Sequence, residues 1–153
     1  MLSSKWNELH LLLIQHQTRP WLTRDLSIYL SSRLLEVFKK LRAIAASPQD
    51  EGRQADLLED AKRIVQDICN DHVAAVQTFV RDETLRDATA EDMRVECQLL
   101  VEYVSMAKRF NLEINSRAKD RVVSFGEKLS CRFMACLLRD RVGEAVCSIG
   151  RNL

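Results

Sequence analysis

The sequence has little glycine, proline or aromatic content. Its 153 residues include 4 Gly, 2 Pro and 6% aromatic residues. A many-stranded β fold needs Gly and Pro in its turns, and a phosphate-binding loop needs clustered Gly, so this scarcity argues against both. The 5 cysteines include no C-x-x-C pair, which argues against a zinc ribbon or a thioredoxin-type site. We therefore expect no metal ion and no other cofactor.

The chain also lacks an excess of charge of either sign. It has 23 Lys and Arg against 22 Asp and Glu, for a formal net charge of +1. A protein that binds nucleic acid or an anionic membrane through its overall charge is usually more basic. Neither partner is therefore expected.

Long hydrophobic runs are missing as well. No uncharged apolar run approaches the roughly 20 residues that a transmembrane helix needs. Lys5, Glu8 and His10 interrupt the first apolar stretch, so no signal peptide is expected. We expect a cytoplasmic protein whose thiols are reduced.

What is present is helical periodicity. Apolar residues recur at helical spacing almost everywhere, and no segment shows the period of two that is typical of strands. The pattern predicts an all-α protein of about five helices, packed as one compact domain over residues 1–153. The five predicted helices cover residues 4–17, 22–46, 53–81, 90–110 and 117–140.

Two helix starts and one core face are predicted in detail. Thr89 is predicted to cap the 90–110 helix, and Ser116 the last helix. The predicted core face of the 90–110 helix consists of Val95, Leu99, Tyr103 and Phe110. Cys131 and Cys136 are interpreted as small buried hydrophobic residues of the last helix.

The most distinctive segment covers residues 115–131, N-S-R-A-K-D-R-V-V-S-F-G-E-K-L-S-C. Gly126 lies in the middle of a predicted helix, where Gly costs about 1 kcal/mol, so its position suggests a close approach of backbone or ligand. This segment resembles the aspartokinase family, in particular the fungal form. Two upstream segments extend the resemblance, S-S-R-L-L at 31–35 and N-D-H at 70–72, so that it covers residues 22–141.

The resemblance implies roles for several residues. In the family, the residue matching Glu127 helps to hold the amino group of aspartate, and the residue matching Arg117 lies near the substrate carboxylate. Ser31 replaces a pocket threonine and keeps its hydroxyl. The full set of candidates is Glu127, Asp120 and His72 for acid–base chemistry, with Arg117, Ser124, Ser31 and Lys128 for substrate binding.

Simpler interpretations stand beside these roles. Arg117 and Asp120 are three residues apart on a helix and could form a surface ion pair. A histidine within a helix, such as His72, is more often structural than catalytic, and Glu127 is also consistent with an inherited residue that has no present role.

The chain departs from the aspartokinase pattern at both ends. The family begins with a strand and K-F-G-G-T-S, whereas residues 1–21 here are predicted to include a helix, and residues 142–153 also diverge. Because phosphoryl transfer needs positioned cations around the phosphates, we expect a truncated homologue without kinase activity.

Two functions remain open at this point. One is a repurposed protein of fungal specialised metabolism that binds an amino-acid-derived or polyketide-like metabolite and catalyses a cofactor-free cyclisation, isomerisation or hydration. The other is a non-catalytic subunit that pairs with a full-length aspartokinase and regulates it. Because the helices would have lost the sheet that covers them in the family, a homodimer is also expected. A cavity lined by Glu127 would favour the first function, and a flat apolar face the second.

Overall fold

The chain folds into four long helices that pack in a ring. The computed structural model describes residues 26–109 and 114–150, with side chains for 30–109 and 114–143. The helices are α1 (Leu26–Ala45), α2 (Glu51–Phe79), α3 (Glu83–Arg109) and α4 (Ser116–Gly150). Helices α1 and α3 each pack on α2 and α4, with little contact across the diagonal. The all-α prediction is confirmed, while the predicted 4–17 helix lies outside the described residues.

The space between the four helices is filled by apolar side chains. Each helix contributes residues at helical spacing, as the apolar periodicity predicts. Burying one such Leu or Val contributes about 1.5–3 kcal/mol, so this shared core holds the bundle together. The largest fully buried side chains are Leu34, Leu41, Met93, Leu100, Leu129, Val37, Val65, Val76, Val104 and Val122.

The polar connection from α1 to α2 lies where the sequence predicts a loop. Asp50 caps α2, since its carboxylate accepts a hydrogen bond from the Arg53 amide at 2.9 Å. Gln54 donates from its side-chain amide to the Ser47 carbonyl at 2.8 Å and so ties the loop to the first turn of α2. These bonds satisfy backbone groups that would otherwise lack partners at the helix ends.

Helix α3 begins earlier than predicted. It starts at Glu83, and the Asp82 carboxylate accepts a hydrogen bond from the Leu85 amide at 2.7 Å. The predicted start at residue 90 and the predicted Thr89 cap are therefore wrong. Thr89 lies within the helix, buried, and donates its hydroxyl to the Cys136 sulfur at 3.2 Å.

The predicted core face of α3 is also wrong. Val95 and Leu99 are 52% and 47% exposed, whereas Met93, Cys97 and Leu100 are buried. Helix α3 carries apolar residues on two faces, and only one of them can pack against the bundle. Tyr103 is partly buried, and Phe110 lies outside the described residues.

Helix α4 differs from its prediction at both ends. Its cap is Asn115 rather than Ser116, because the Asn115 side-chain oxygen accepts from the Ala118 amide at 3.2 Å. The helix continues to Gly150, ten residues past the predicted end at 140. Cys136 is buried as interpreted, but Cys131 is exposed.

Candidate functional site

Five of the predicted site residues share one face of α4. With about 100° between successive residues of a helix, they fall within an arc of about 100°. Four of the side chains are exposed and that of Ser124 is half-buried. They therefore form a polar strip on the surface of α4. The five are Arg117, Asp120, Ser124, Glu127 and Lys128.

Two members of this strip make defined contacts. The Ser124 hydroxyl donates to the Arg121 carbonyl within the same helix, at 2.8 Å. The Lys128 ammonium lies 3.9 Å from an oxygen of Glu96 on α3 and 5.3 Å from the centre of the Phe125 ring. Ser124 therefore bonds within α4, and Lys128 contacts a carboxylate of α3 and an aromatic ring of α4.

Within the described part of the chain, the other three members, Arg117, Asp120 and Glu127, form no ion pairs with one another. No ion pair joins Arg117 to Asp120 among the described residues, although their spacing would permit one. Within the same part of the chain, the Glu127 carboxylate forms no ion pair either. The surface ion pair expected as the simpler interpretation is therefore not observed.

Gly126 marks a close approach between α4 and α1. A Cβ atom placed there would lie 2.6 Å from Cδ1 of Leu34 and 3.1 Å from Cγ of Leu30. A methyl group at this position would overlap the core side chains, and the helices meet closely because Gly has none. The segment around Gly126 thus packs on the S-S-R-L-L segment, in which Ser31 is half-buried.

An ion pair connects the two upstream motifs. Arg33 of S-S-R-L-L bonds to Asp67 at 2.9 Å and to Asp71 of N-D-H at 3.4 Å. The Arg33 side chain is mostly buried, which strengthens such a pair relative to a fully exposed one. The three segments that carry the resemblance therefore contact one another in the fold, a relationship that sequence spacing does not reveal.

His72 lies buried within α2, next to Asp71. Its Nδ1–H donates to the Ile68 carbonyl at 2.8 Å, and among the described residues Nε2 has no hydrogen-bond partner. Burial lowers the pKa of His72 below its ordinary value of 6.5, so the neutral ring is favoured. The position is that of a packed helix histidine, and the structure does not place it beside the polar strip of α4.

Two buried carboxylates were missed by the sequence analysis. Asp140 accepts hydrogen bonds from the backbone amides of Arg81 and Asp82, at 3.2 and 2.8 Å, and so fixes the turn between α2 and α3. Glu96 accepts from Arg132 on α4 at 2.7 Å. In the sequence, such a carboxylate is indicated by an acidic residue at a position where the helical periodicity predicts an apolar core side chain.

An open groove lies between α2 and α3. Its volume is about 420 Å³, and exposed apolar side chains of α3 lie beside the polar groups along it. No residue of the α4 strip lines it. The lining residues are Val65, Gln66, Cys69, Glu91, Arg94, Val95, Cys97, Gln98, Leu99, Val101 and Glu102.

Two thiols from neighbouring helices line this groove. Cys69 on α2 and Cys97 on α3 are both buried. The neighbouring Cys97 thiol and the positive charge of Arg94 both lower the pKa of the Cys69 thiol, to about 7. The neighbouring Cys69 thiol and burial raise the pKa of the Cys97 thiol.

The described residues include no obvious metal site. Within 26–109 and 114–150, no three or more His, Cys, Asp or Glu residues cluster in a way that could hold a metal ion. In the same ranges, every helix is too short or too polar to cross a membrane.

Comparison with known proteins shows a relationship to aspartate kinases. The chain is 50% identical over 111 residues to aspartate kinase FUB3 of Gibberella moniliformis, an alignment that covers 72% of this chain and 22% of the relative. It is 36% identical over 84 residues to the aspartokinase of Schizosaccharomyces pombe, covering 55% of this chain and 15% of the relative. No family model and no solved structure matches.

The fold and its motifs thus define an all-α, aspartokinase-like chain. It is homologous to a segment of the fungal aspartate kinases, and the family resemblance expected from G-E-K-L-S-C is confirmed. The chain spans about a fifth of the length of the two Gibberella relatives named aspartate kinase FUB3.

Proposed function

We propose that this chain is a helical, non-catalytic partner of a full-length aspartate kinase, which it binds through the outer face of α3. The observation that carries the proposal is a stripe of exposed apolar side chains, Val95, Leu99 and Met106. The three residues lie within an arc of about 40° on α3, and 47–52% of each is exposed. Exposed apolar side chains on one face of a helix, here interrupted by Glu102, are typical of a surface that binds another helix.

The choice of an aspartate kinase as the partner rests on homology. This chain is 50% identical over 111 residues to a segment of such an enzyme. A homologous segment can occupy surfaces that the enzyme's own segment contacts. The apolar stripe of α3 then binds the kinase, and the neighbouring groove between α2 and α3 widens the surface.

The metabolite-binding hypothesis has less support from the geometry. It requires Glu127, Asp120 and Arg117 to line a cavity, whereas these side chains lie on an open helix face and the groove is lined by α2 and α3. The acid–base roles of Glu127, Asp120 and His72 stay predictions.

Co-purification tests the proposal. Tagged chain is mixed with full-length aspartate kinase FUB3 of Gibberella moniliformis, and we expect the kinase to be retained. Leu99→Glu, in the stripe, should abolish retention. Leu138→Glu, on α4, changes a leucine of matched exposure (49% against 47%) and should leave retention unchanged. Failure of the unaltered chain to retain the kinase refutes the proposal. Retention of the kinase by Leu99→Glu also refutes it, because the stripe would then not be the binding surface.

A further inference from the structure

Helix α4 carries an exposed apolar stripe that the proposed function does not use. Leu138 and Val142 are 49% and 61% exposed, and Cys131 and Ala135 are exposed as well. The four residues are spaced by 4, 3 and 4 positions, so they fall within an arc of about 60° on the helix. This alternation is the spacing of the a and d positions of a coiled coil. We call these four residues the α4 stripe.

The α4 stripe reaches past the end of the bundle. Asp140 holds the turn between α2 and α3, and α4 continues ten residues beyond Asp140, to Gly150. These ten residues extend about 15 Å, and a helical segment this short is only marginally stable in water unless it packs on something. Val142 lies on the extension, and in the sequence Ala145 and Ile149 continue the same spacing. The exposed stripe therefore continues onto the part of α4 that most needs a packing partner.

Opposite charges flank the α4 stripe where it begins. Glu127 lies on one side of Cys131 and Arg132 on the other, at about 40° and 100° around the helix axis. Glu127 is exposed and forms no ion pair among the described residues. The Arg132 side chain is 42% exposed and is held by Asp92 at 3.0 Å and Glu96 at 2.7 Å. Among the described residues these bonds use two of the five N–H groups of its guanidinium, so Arg132 can also bind a further carboxylate.

The charges and the stripe are complementary to a second copy of α4. In a parallel pair of coiled-coil helices, a g residue of one helix faces the e residue five positions later on the other. With the α4 stripe at d and a positions, Glu127 is a g residue and Arg132 is the e residue five positions later. Two parallel copies therefore form the pair of Glu127 with Arg132 twice, once in each direction. We propose that the chain forms a homodimer in which the α4 stripes of two copies pack in parallel.

An antiparallel arrangement of the same stripe lacks these ion pairs. Cys131 would then face Val142, and the two Cys131 residues would lie about 16 Å apart along the helix axis. Glu127 would face the helix beyond Val142, away from Arg132 of the other copy. In the parallel arrangement, the pairing involves α4 alone, and the exposed stripe of α3 takes no part in it. Dimer formation and the proposed kinase binding therefore use different helices.

Sedimentation velocity of the full chain alone, with its thiols reduced, tests the proposal over a wide range of concentration. We expect a monomer–dimer equilibrium. Leu138→Glu would place two carboxylates against each other between the helices and should weaken the dimer at least about a hundredfold. Leu99→Glu, a change of matched exposure on α3 (47% against 49%), should dimerise like the unaltered chain. Val142→Glu, at a 61% exposed position, repeats the first test where the risk to folding is lowest, and circular dichroism checks the helix content.

Two further experiments test the parallel alignment. Glu127→Lys would oppose like charges at Arg132 and should weaken the dimer about tenfold. A bismaleimide with a two-carbon linker should join Cys131 of one copy to Cys131 of the other, a link that only two chains can form and that mass spectrometry of the digest identifies. Cys131→Ser should lose this link and keep the dimer.

Four outcomes overturn the proposal. The first is a monomer at every concentration, which would leave residues 1–25 of the same chain or another protein as the occupant of the α4 stripe. The second is a dimer that survives both Leu138→Glu and Val142→Glu, and the third is a dimer that Leu99→Glu dissociates. The fourth is a dimer that Glu127→Lys leaves unchanged or in which Cys131 does not link to itself. Because no kinase is present, these results are independent of the proposed partner function.

Discussion

The close approach at Gly126 predicts opposite effects for the same substitution at two positions of α4. Alanine at Gly126 would place its methyl carbon 2.6 Å from the Leu34 side chain and 3.1 Å from Leu30, both of which are buried. Alanine at Gly143 meets nothing within 4 Å. Both sites are helical, so the backbone effect of replacing Gly is comparable at the two.

The magnitudes follow from two opposing terms. Replacing Gly by Ala within a helix stabilises by about 1 kcal/mol. Forcing an extra methyl into a packed core costs about 1–3 kcal/mol. Gly126→Ala should therefore lower the free energy of unfolding by up to about 2 kcal/mol, and Gly143→Ala should raise it by up to about 1 kcal/mol. The difference between the two variants is then about 1–3 kcal/mol.

Urea denaturation followed by circular dichroism at the helix band measures both variants against the unaltered chain. Equal m-values would show that the midpoint shifts reflect stability rather than a change in the unfolded state. If Gly126→Ala stabilises the chain as much as Gly143→Ala, the close packing of α4 on α1 is wrong, and with it the structural role of the G-E-K-L-S-C segment.

Three further changes test the buried polar groups. Asp140→Ala leaves two backbone amides without their acceptor and should cost about 1–3 kcal/mol of unfolding free energy in urea, with Asp140→Asn losing less. Burial lowers the pKa of His72 below 6.5, so the unfolded chain binds the proton more tightly. Stability should fall as the pH drops below about 6.5, and thermal melts of His72→Phe should lack this part of the fall. If the stability of His72→Phe has the same pH profile as that of the unaltered chain, the assignment of this fall to His72 is wrong. Arg132→Ala removes the closest cation of Glu96 and should cost about 1–3 kcal/mol, partly recovered in the double variant with Glu96→Gln.

Much of the helical framework is predictable from local periodicity. The α1 stripe of Leu30, Leu34, Phe38 and Leu41 is buried, because α1 carries one dominant apolar stripe at helical spacing. The start of α3 was missed because Asp82 caps it through a turn fixed by Asp140, which is distant in sequence. The spacing of nearby residues does not show that Asp140 of α4 holds this turn and so sets where α3 begins.

The core face of α3 shows where periodicity reaches its limit. Val95 and Leu99 form one valid helical stripe, and Met93, Cys97 and Leu100 form another. Nothing in the spacing ranks one stripe above the other, and only packing against α2 and α4 decides between them. Val95 and Leu99, which were predicted to be buried, are exposed, and the proposed partner surface rests on their exposure.

The fold class is confirmed, whereas the roles of the candidate site residues stay predictions. The resemblance identifies the residues of the α4 strip, and they do share a face, but none of them lines the groove between α2 and α3. The groove between α2 and α3 is lined by Cys69 and Cys97, which are 28 positions apart on different helices. Such a groove becomes visible only once α2 and α3 are packed together.

Sedimentation velocity is the measurement that tests most directly whether the exposed stripe of α3 binds an aspartate kinase. A fixed concentration of full-length aspartate kinase FUB3 is titrated with this chain. We predict a faster-sedimenting complex with the unaltered chain and with Leu138→Glu, and free kinase only with Leu99→Glu. Complexes of equal stability with all three chains, or with none, would contradict the assignment of the α3 stripe as the binding surface.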